Sequence, residues 1–483
     1  MKDTYKEQIH KYFENIAEDL DWWSNRNKYY YQDIEILHQF IIPKGSTVLE
    51  IGCGTGNLLA AVQPSLGVGI DFSDNVIEIA QSKYPYLHFL SSDAEKLSPD
   101  IFKRQNIDIP NAFDFIVISG VLGYISDIQS VLNKLQKLCN PQTRIILVFH
   151  NFLWEPLLRT AEKIGQRRPQ PQQNWLSMND AKNLLTLTGY IPVKIGRRFL
   201  IPKKIPIISH LINRYLIQLP VINHLGLTNY VVARPNSYTP LEKEYCVSVI
   251  IPARNEAGNI AAAIERLPLL GKHTEVIFIE GHSTDNTWEE IQRISETKKA
   301  NFTIKAFQQT GKGKADAVRL GFSEATGDIL MILDADLTVQ PEELPHFYQA
   351  MAEQRGEFIN GSRLVYPRSL EAMPWLNTLA NKFFALVFSF LLGQQIKDTL
   401  CGTKVLWRKD YQRIVANRKY FGDFDPFGDF DLLFGAAKLN LHIVEVPVRY
   451  QARSYGQSNI AHFREGLILL KMCWYAAKKI KFI

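Results

Sequence analysis

Disulfide bridges and membrane spans are the first things this sequence lacks the material for. Its five cysteines, Cys53, Cys139, Cys246, Cys401 and Cys473, are scattered and show no metal-ligand spacing. They fit a reducing cytosol better than a bridged scaffold. No apolar run reaches the ~20 residues that cross a bilayer. The first residues, Met-Lys-Asp-Thr-Tyr-Lys, hold no apolar signal region. The expectation is a cytoplasmic chain, with any membrane contact peripheral and on the cytoplasmic face. Internal repeats and low-complexity tracts are missing too. Charge of one sign is in small excess: the net charge is +6. That suits an anionic membrane surface or phosphorylated substrates, and no nucleic-acid partner is expected.

What is present is material for large cores. Of 483 residues, 46% are hydrophobic and 22% charged, which excludes bulk disorder. The length suits two large domains or about three average ones.

Residues 328–338 read Asp-Ile-Leu-Met-Ile-Leu-Asp-Ala-Asp-Leu-Thr. The short Ile/Leu run suits a buried central strand. Strand alternation sends Asp334 and Asp336 to one side at its carboxyl end, where ligands of open α/β sheets bind. Two hard oxygen ligands so placed suit Mg²⁺ or Mn²⁺ carrying a diphosphate. The plain alternative is an acidic turn.

In the first half, residues 5–40 look helical and rich in packed aromatics. A strand over Thr47–Ile51 precedes Gly52-Cys53-Gly54-Thr55-Gly56, where glycines permit a tight turn and close ligand approach. Further strands are expected at Gly67–Ile70, His88–Leu90, Phe113–Ile118, Arg144–Phe149 and Val231–Ala233. Asp71 follows the second, Asp93 and Ala94 the third, and Ser119-Gly120 the fourth. Strands alternating with helices indicate a parallel, doubly wound α/β sheet. Glycines alone leave nicotinamide and flavin cofactors open. The Gly-x-Gly-x-Gly spacing, with Glu50, Asp71 and Asp93, resembles class I S-adenosylmethionine-dependent methyltransferases over residues 10–235. The resemblance implies that Gly52, Gly54 and Gly56 cradle the amino-acid end of S-adenosylmethionine and Asp71 holds the ribose. Asp93 and Ala94 would sit by the adenine, and Ser119 and Gly120 under the methionine. Helix capping is the structural alternative for Asp71 and Asp93. Tyr124 and His150 are candidate bases, or simply packed residues.

Between Pro206 and Pro220, apolar residues recur at helical spacing after Arg197, Arg198, Lys203 and Lys204. A lid, an interfacial helix and ordinary core packing all fit, and core packing is the expectation. Residues 236–244 read as a linker between domains 1–235 and 245–483.

In the second half, strands at Val247–Ile251 and Glu275–Ile279 lead to Pro252-Ala253-Arg254-Asn255-Glu256 and to Glu280-Gly281. Gly311-Lys312-Gly313-Lys314 and the Asp-Ala-Asp strand follow. Together with Asn360-Gly361-Ser362-Arg363, the Asp398–Lys404 stretch and Arg453–Ser458, this order resembles family 2 glycosyltransferases of the GT-A fold. Within them it is most similar to polyprenyl-phosphate (dolichol-phosphate) sugar transferases. The resemblance implies that Pro252, Arg254, Glu256 and Glu280 line the pocket of a nucleotide-sugar donor, with Lys314 beside the nucleotide. Asp334 and Asp336 would carry the metal, and Arg363, Arg453 and Ser458 would face the donor's phosphates and sugar. Two departures stand out: Glu280-Gly281 replaces paired aspartates, and Thr338 stands where relatives often have Gln.

A polyprenyl-phosphate acceptor is already anionic, its second pKa being ~6, and needs no strong base. A glycan or small-molecule hydroxyl would need one, with Asp398, Asp429 or Asp431 as candidates. In that alternative the first half is a non-catalytic binding or scaffold module. Leu376 to Leu391, and Phe463, Leu467, Leu470 and Trp474, give apolar helix faces. Arg464, Lys471 and Lys478 form a basic stripe beside the second. An interfacial helix on a membrane surface and an amphipathic core helix both fit.

Overall fold

The computed structural model describes residues 2–105, 107–238, 243–296, 300–366, 375–418, 428–451, 453, 455 and 462–482. For residues 2–4, 375–379, 429 and 462–467 the description covers the backbone only. The chain forms two compact units, one of residues up to Asn236 together with Phe482, the other Ser237–Lys481. Each is an α/β sheet with helices on its faces.

The first unit has seven strands: β1 (Thr47–Ile51), β2 (Leu66–Asp71), β3 (His88–Ser91), β4 (Phe115–Ser119), β5 (Arg144–His150), β6 (Tyr190–Arg198) and β7 (Thr228–Pro235). Their order is β3-β2-β1-β4-β5-β7-β6. The first five pair in parallel. Because side chains alternate along a strand, both faces are apolar. Leu49 and Ile51 join one core, and Val48 joins the other with Leu37 and Ile41 of the helix Lys28–Ile41.

The sheet is not parallel throughout. β7 runs antiparallel to β5 and to β6. The sequence reading has no strand at β6, because Lys194, Arg197 and Arg198 break its apolar pattern. The fold hides two of those charges. Lys194 lies over the Phe40 ring at 4.8 Å, and Arg198 Nε donates to Asp33 Oδ2 at 2.9 Å.

The 206–220 stretch also departs from expectation. It forms a short helix, Ile208–Arg214, and a single turn, Leu216–Gln218. Ile207, Ile208, Leu211 and Leu219 are exposed. Core packing is therefore not their role.

The second unit contains β8 (Cys246–Ala253), β9 (His273–Glu280), β10 (Phe302–Gln308), β11 (Ile329–Ile332), β12 (Phe358–Ser362), β13 (Lys404–Trp407) and β14 (Ile443–Pro447). The order is β10-β9-β8-β11-β13-β12-β14. β8 to β11 form a parallel set, and β13 runs antiparallel to both its neighbours. Ile329 to Leu333 are fully buried, as a central strand requires. Among the described residues, no helix is long and apolar enough to cross a membrane.

His38 illustrates how burial sets stability in the first unit. It is fully buried in the helix Lys28–Ile41, its Nδ1 2.8 Å from the Ile34 carbonyl oxygen. Burial pushes its pKa from the ordinary 6.5 down to about 4. As pH falls below 6.5 the unfolded chain takes the proton first, so stability declines progressively toward pH 4. A His38→Leu variant should show a flatter loss across that window when urea midpoints are measured against pH. An unchanged pH slope would contradict the assignment.

Candidate functional site

In the first unit the chain leaves β1 through three glycines in the left-handed region, Gly52 at φ +72°, Gly54 at +52° and Gly56 at +79°. L side chains rarely enter that region. A Cβ on Gly52 would meet Val121 at 2.7 Å, and one on Gly56 would meet Phe89 at 2.6 Å. One on Gly54 would meet nothing within 4 Å. Gly54 is where bare backbone faces a cavity of about 910 Å³.

The cavity wall brings together Glu50, Gly52, Gly54, Asp71, Asp93, Ala94, Ser119 and Gly120. Gly56 stands behind it, in the turn. Asp71 braces the turn: its Oδ2 accepts from the Gly54 N–H at 3.0 Å and its Oδ1 from the Ser73 N–H at 3.2 Å. Burial pushes the Asp71 carboxyl up while these bonds oppose the shift. Glu50 is buried, and burial reinforced by Asp71 raises its pKa well above the usual range. Its Oε2 has no hydrogen-bond partner among the described residues. A buried acceptor left so costs about 1–3 kcal/mol, which a ligand donor would recover.

Two features of this site have no signal in the sequence. Lys6, on the helix Lys2–Asn15, reaches Asp93 Oδ2 at 2.7 Å and Glu95 Oε2 at 2.8 Å. Burial raises the Asp93 pKa, but Lys6 holds it below the ordinary value. Asp21 accepts from Thr55 Oγ1 at 2.7 Å and from Asn57 Nδ2 at 2.9 Å, tying the helical start to the glycine turn. Asp93 Oδ1 also caps the turn Ala94–Lys96 through the Glu95 N–H at 2.8 Å, so capping and cavity lining coexist.

The cavity extends past the turn to Tyr30, Tyr124, His150, Arg167 and Arg168. Tyr30 Oη lies 3.3 Å from His150 Nε2. Burial and the positive field of Arg167 push His150 down to about 3. Tyr124 donates to Gln170 Oε1.

In the second unit β11 ends at Ile332, and a turn with Leu337 at φ +51° carries Asp334 and Asp336. Each carboxylate faces a cation. Lys314 Nζ, at the start of the helix Lys314–Glu324, is 2.5 Å from Asp334 Oδ1. Arg453 Nη2 is 2.7 Å from Asp336 Oδ2, and its Nη1 is 3.8 Å from Glu256 Oε1. Burial raises the Asp334 pKa, but Lys314, Lys404 and Arg363 hold it below the ordinary value. Burial, with Asp336 and Asp285 nearby, pushes Glu256 up to about 7 against Asn259 and Arg453. A Cβ on Gly402 would overlap Asp334 Oδ2 and Lys314 Nζ, so backbone closes this site as well. Thr338 Oγ1 donates to Asp336 Oδ1 at 2.8 Å.

Other named residues are placed differently. Pro252 is half-buried at the end of β8 and Arg254 is exposed. Glu280 is buried and closes its own turn, accepting from the Ser283 N–H at 2.5 Å and from Gln308 Nε2 at 3.2 Å. Asp431 pairs with Arg418 Nε at 3.0 Å. Ser458 lies outside the described residues, as do the side chains of Asp429 and Arg464.

No group of three or more His, Cys, Asp or Glu that could hold a metal occurs among the described residues. Two hard carboxylates still fit Mg²⁺ or Mn²⁺ that draws its remaining ligands from water and a diphosphate.

Arg363 donates through Nε and Nη2 to both oxygens of fully buried Asp398, each at 2.8 Å. Asn381 Nδ2 adds a bond at 2.8 Å. The pair occupies itself. Arg363→Met would leave the aspartate charge buried and should destabilise the second unit by about 3–5 kcal/mol. Arg363→Met with Asp398→Leu should recover most of that, measured by chemical denaturation. A near-neutral single variant would mean the arginine is not committed to Asp398.

Residues 22–194 match the family described as methyltransferase domain, and residues 248–415 match glycosyl transferase family 2. A dolichol-phosphate mannosyltransferase of Pyrococcus furiosus is 30% identical over 221 residues, 44% of this chain. The chain spans 59% of that relative's length. Two solved structures are similar at low scores. One is an S-adenosylmethionine-dependent methyltransferase of Thermotoga maritima, a possible histamine N-methyltransferase. Its identity is 14% and its TM-score 0.36, over 47% of this chain and 99% of its own. The other is magnesium protoporphyrin IX methyltransferase of Synechocystis. Its identity is 16% and its TM-score 0.32, over 48% and 99%. By its two family matches, the chain carries a methyltransferase domain followed by a glycosyltransferase family 2 domain.

Proposed function

We propose that the chain is a bifunctional transferase. The second unit moves a sugar from a nucleotide-sugar to a polyprenyl phosphate with inversion. The first moves a methyl group from S-adenosylmethionine to a separate acceptor. The observation that carries the reading is the meeting of Asp334, Asp336, Lys314 and Arg453 at the carboxyl edge of the second sheet.

Asp334 and Asp336 would hold the divalent metal, which when bound supplies charge that neutralises the departing nucleoside diphosphate. Lys314 and Arg453 stand ready to pair with phosphate oxygens once the carboxylates take the metal. Pro252, Arg254 and Glu256 at the end of β8 would line the nucleotide pocket. In a single displacement the acceptor oxygen forms its bond to the anomeric carbon as the bond to diphosphate breaks, so configuration inverts. Commitment of Asp398 to Arg363, and of Asp431 to Arg418, leaves neither carboxylate free as a base. An acceptor arriving as an anionic phosphate would need neither of them, whereas a neutral hydroxyl would need a base. The relative's name agrees with this acceptor class. Exposed Leu470 and Trp474, with Lys478 Nζ 4.8 Å from the Trp474 ring, support a peripheral membrane contact.

In the first unit, S-adenosylmethionine when bound supplies an electrophilic methyl group on a sulfonium. Gly54 would let its amino-acid end approach the backbone, and the unpartnered Glu50 Oε2 would accept from its ammonium. Asp71 retains lone pairs for ribose hydroxyls beside its two N–H bonds.

The two chemistries should separate. Asp336→Ala should lower sugar transfer by orders of magnitude and leave S-adenosylmethionine affinity unchanged in calorimetry. Glu50→Gln or Asp71→Ala should weaken that affinity at least about tenfold and leave sugar transfer intact. If Asp336→Ala abolished cofactor binding in a folded protein, two independent transferases would be the wrong description.

A further inference from the structure

Between Asp180 and Glu242 the chain contains no Asp and no Glu. Within that span, residues 203–225 fold inside out. Ser209 and Gln218 are buried. Ser209 Oγ accepts from the Ile205 N–H at 2.6 Å and donates to the Lys203 carbonyl at 2.9 Å. Asn213 Oδ1 accepts from the N–H groups of Leu200 and Ile201, at 2.8 and 2.9 Å. The polar groups, with buried Ile217, hold the segment down, and most of its other apolar side chains are exposed. Ile207 is 77% exposed and Val221 83%, and Ile208, Leu211, Leu219 and Leu225 are exposed with them.

The neighbouring helix, Glu155–Lys163, extends this face. Asn151 Nδ2 donates to the His224 and Gly226 carbonyls at 3.0 and 2.9 Å, and Trp154 Nε1 donates to the Leu225 carbonyl at 2.7 Å. Beside that seam Phe152, Leu153, Leu157 and Ile164 are exposed. A soluble monomer rarely leaves so much contiguous apolar surface bare.

Charge identifies what covers it. Lys163, Lys203 and Lys204 are exposed around the face, and none has a carboxylate partner among the described residues. Residues 181–241 hold no acid, and the two on the neighbouring helix, Glu155 and Glu162, are paired with Arg159 and Arg167, so an apolar face rimmed by lysines matches acyl chains beneath anionic headgroups. A protein partner would give no reason to exclude every acid from such a length. The face is also continuous with the cavity, since Leu158, Pro202 and Lys203 line its wall.

We propose that residues 203–225, with the outer side of the helix Glu155–Lys163, dock the first unit on an anionic bilayer, and that its methyl acceptor is an amphiphile drawn from that bilayer. The acceptor assignment rests on the methyl-transfer reading; the docking does not.

Hydrogen–deuterium exchange on the full chain tests both parts. Vesicles of phosphatidylcholine with phosphatidylglycerol should slow exchange across residues 203–225, and vesicles of phosphatidylcholine alone should not. The triple variant Ile208→Asp, Leu211→Asp, Val221→Asp changes only exposed positions. It should lose at least about tenfold in vesicle partition. It should still show protection of residues 52–57 by S-adenosylmethionine, which reports a folded first unit. Residues 203–225 that respond equally to both vesicles, or to neither, overturn the docking. With native membranes and methyl-labelled S-adenosylmethionine, label should enter the organic phase. A chain that binds S-adenosylmethionine but leaves the organic phase unlabelled overturns the acceptor assignment. Failure to protect residues 52–57 in the wild type overturns the methyl-transfer reading, and the vesicle comparison then decides the docking alone.

Discussion

Parallel pairing around β1 and around β8 forces the carboxyl ends of neighbouring strands to one edge of each sheet. Each connection then crosses that edge before its helix begins. Polar loops from distant parts of the chain therefore meet there without any local signal for it. In the first unit the meeting joins Gly54, Asp71 and Asp93. In the second it joins Glu256, Lys314 and Asp334. The apolar strands stabilise the arrangement, and the edge supplies the chemistry.

That edge concentrates charge, and the protein holds it in two ways. At the two proposed sites, a carboxylate's neighbour is one that a ligand could displace or join. Lys314 on Asp334 and Arg453 on Asp336 stay partly accessible, and Glu50 keeps an oxygen unbonded. Where a charge serves the scaffold, its partner is closed over it. Arg363 and Asp398 form a forked pair with no free oxygen edge, and Arg198 does the same with Asp33. Desolvation makes such pairs poor sources of net stability, but breaking one is expensive. Their value is in fixing which strand, β6 or β12, lies where.

Burial also explains the perturbed groups. Glu256 is raised first by its burial and then by Asp336 and Asp285, against the opposing pull of Asn259 and Arg453. Asp334 is lowered because three cations outweigh its desolvation. The same physics keeps His38 and His150 neutral. The charge balance of each site belongs to its assembled neighbourhood, to which residues far apart in the chain contribute.

The order of the motifs determined a good deal. Short continuous apolar runs were enough to locate β1 to β5, β7 to β9 and β11, because a buried strand must be apolar on both faces. The glycine turn and Asp334 were legible for the same reason: each directly follows such a run. β6 was not, since its lysine and arginines look exposed until Phe40 and Asp33 cover them. Lys6 and Asp21 were not legible either, because helices carry no mark of the distant loop they will touch. Arg363 illustrates the limit most clearly. Its neighbours in sequence suggested a phosphate contact, but its partner is Asp398, brought across by β13 between β11 and β12. The outward turn of Ile207 and Val221 was likewise decided by tertiary contacts. Apolar spacing states that a face exists, and bonds from distant parts of the chain, between Asn213 Nδ2 and Tyr29 Oη and from Asn151 Nδ2 to the His224 and Gly226 carbonyls, settle which side of it faces the protein.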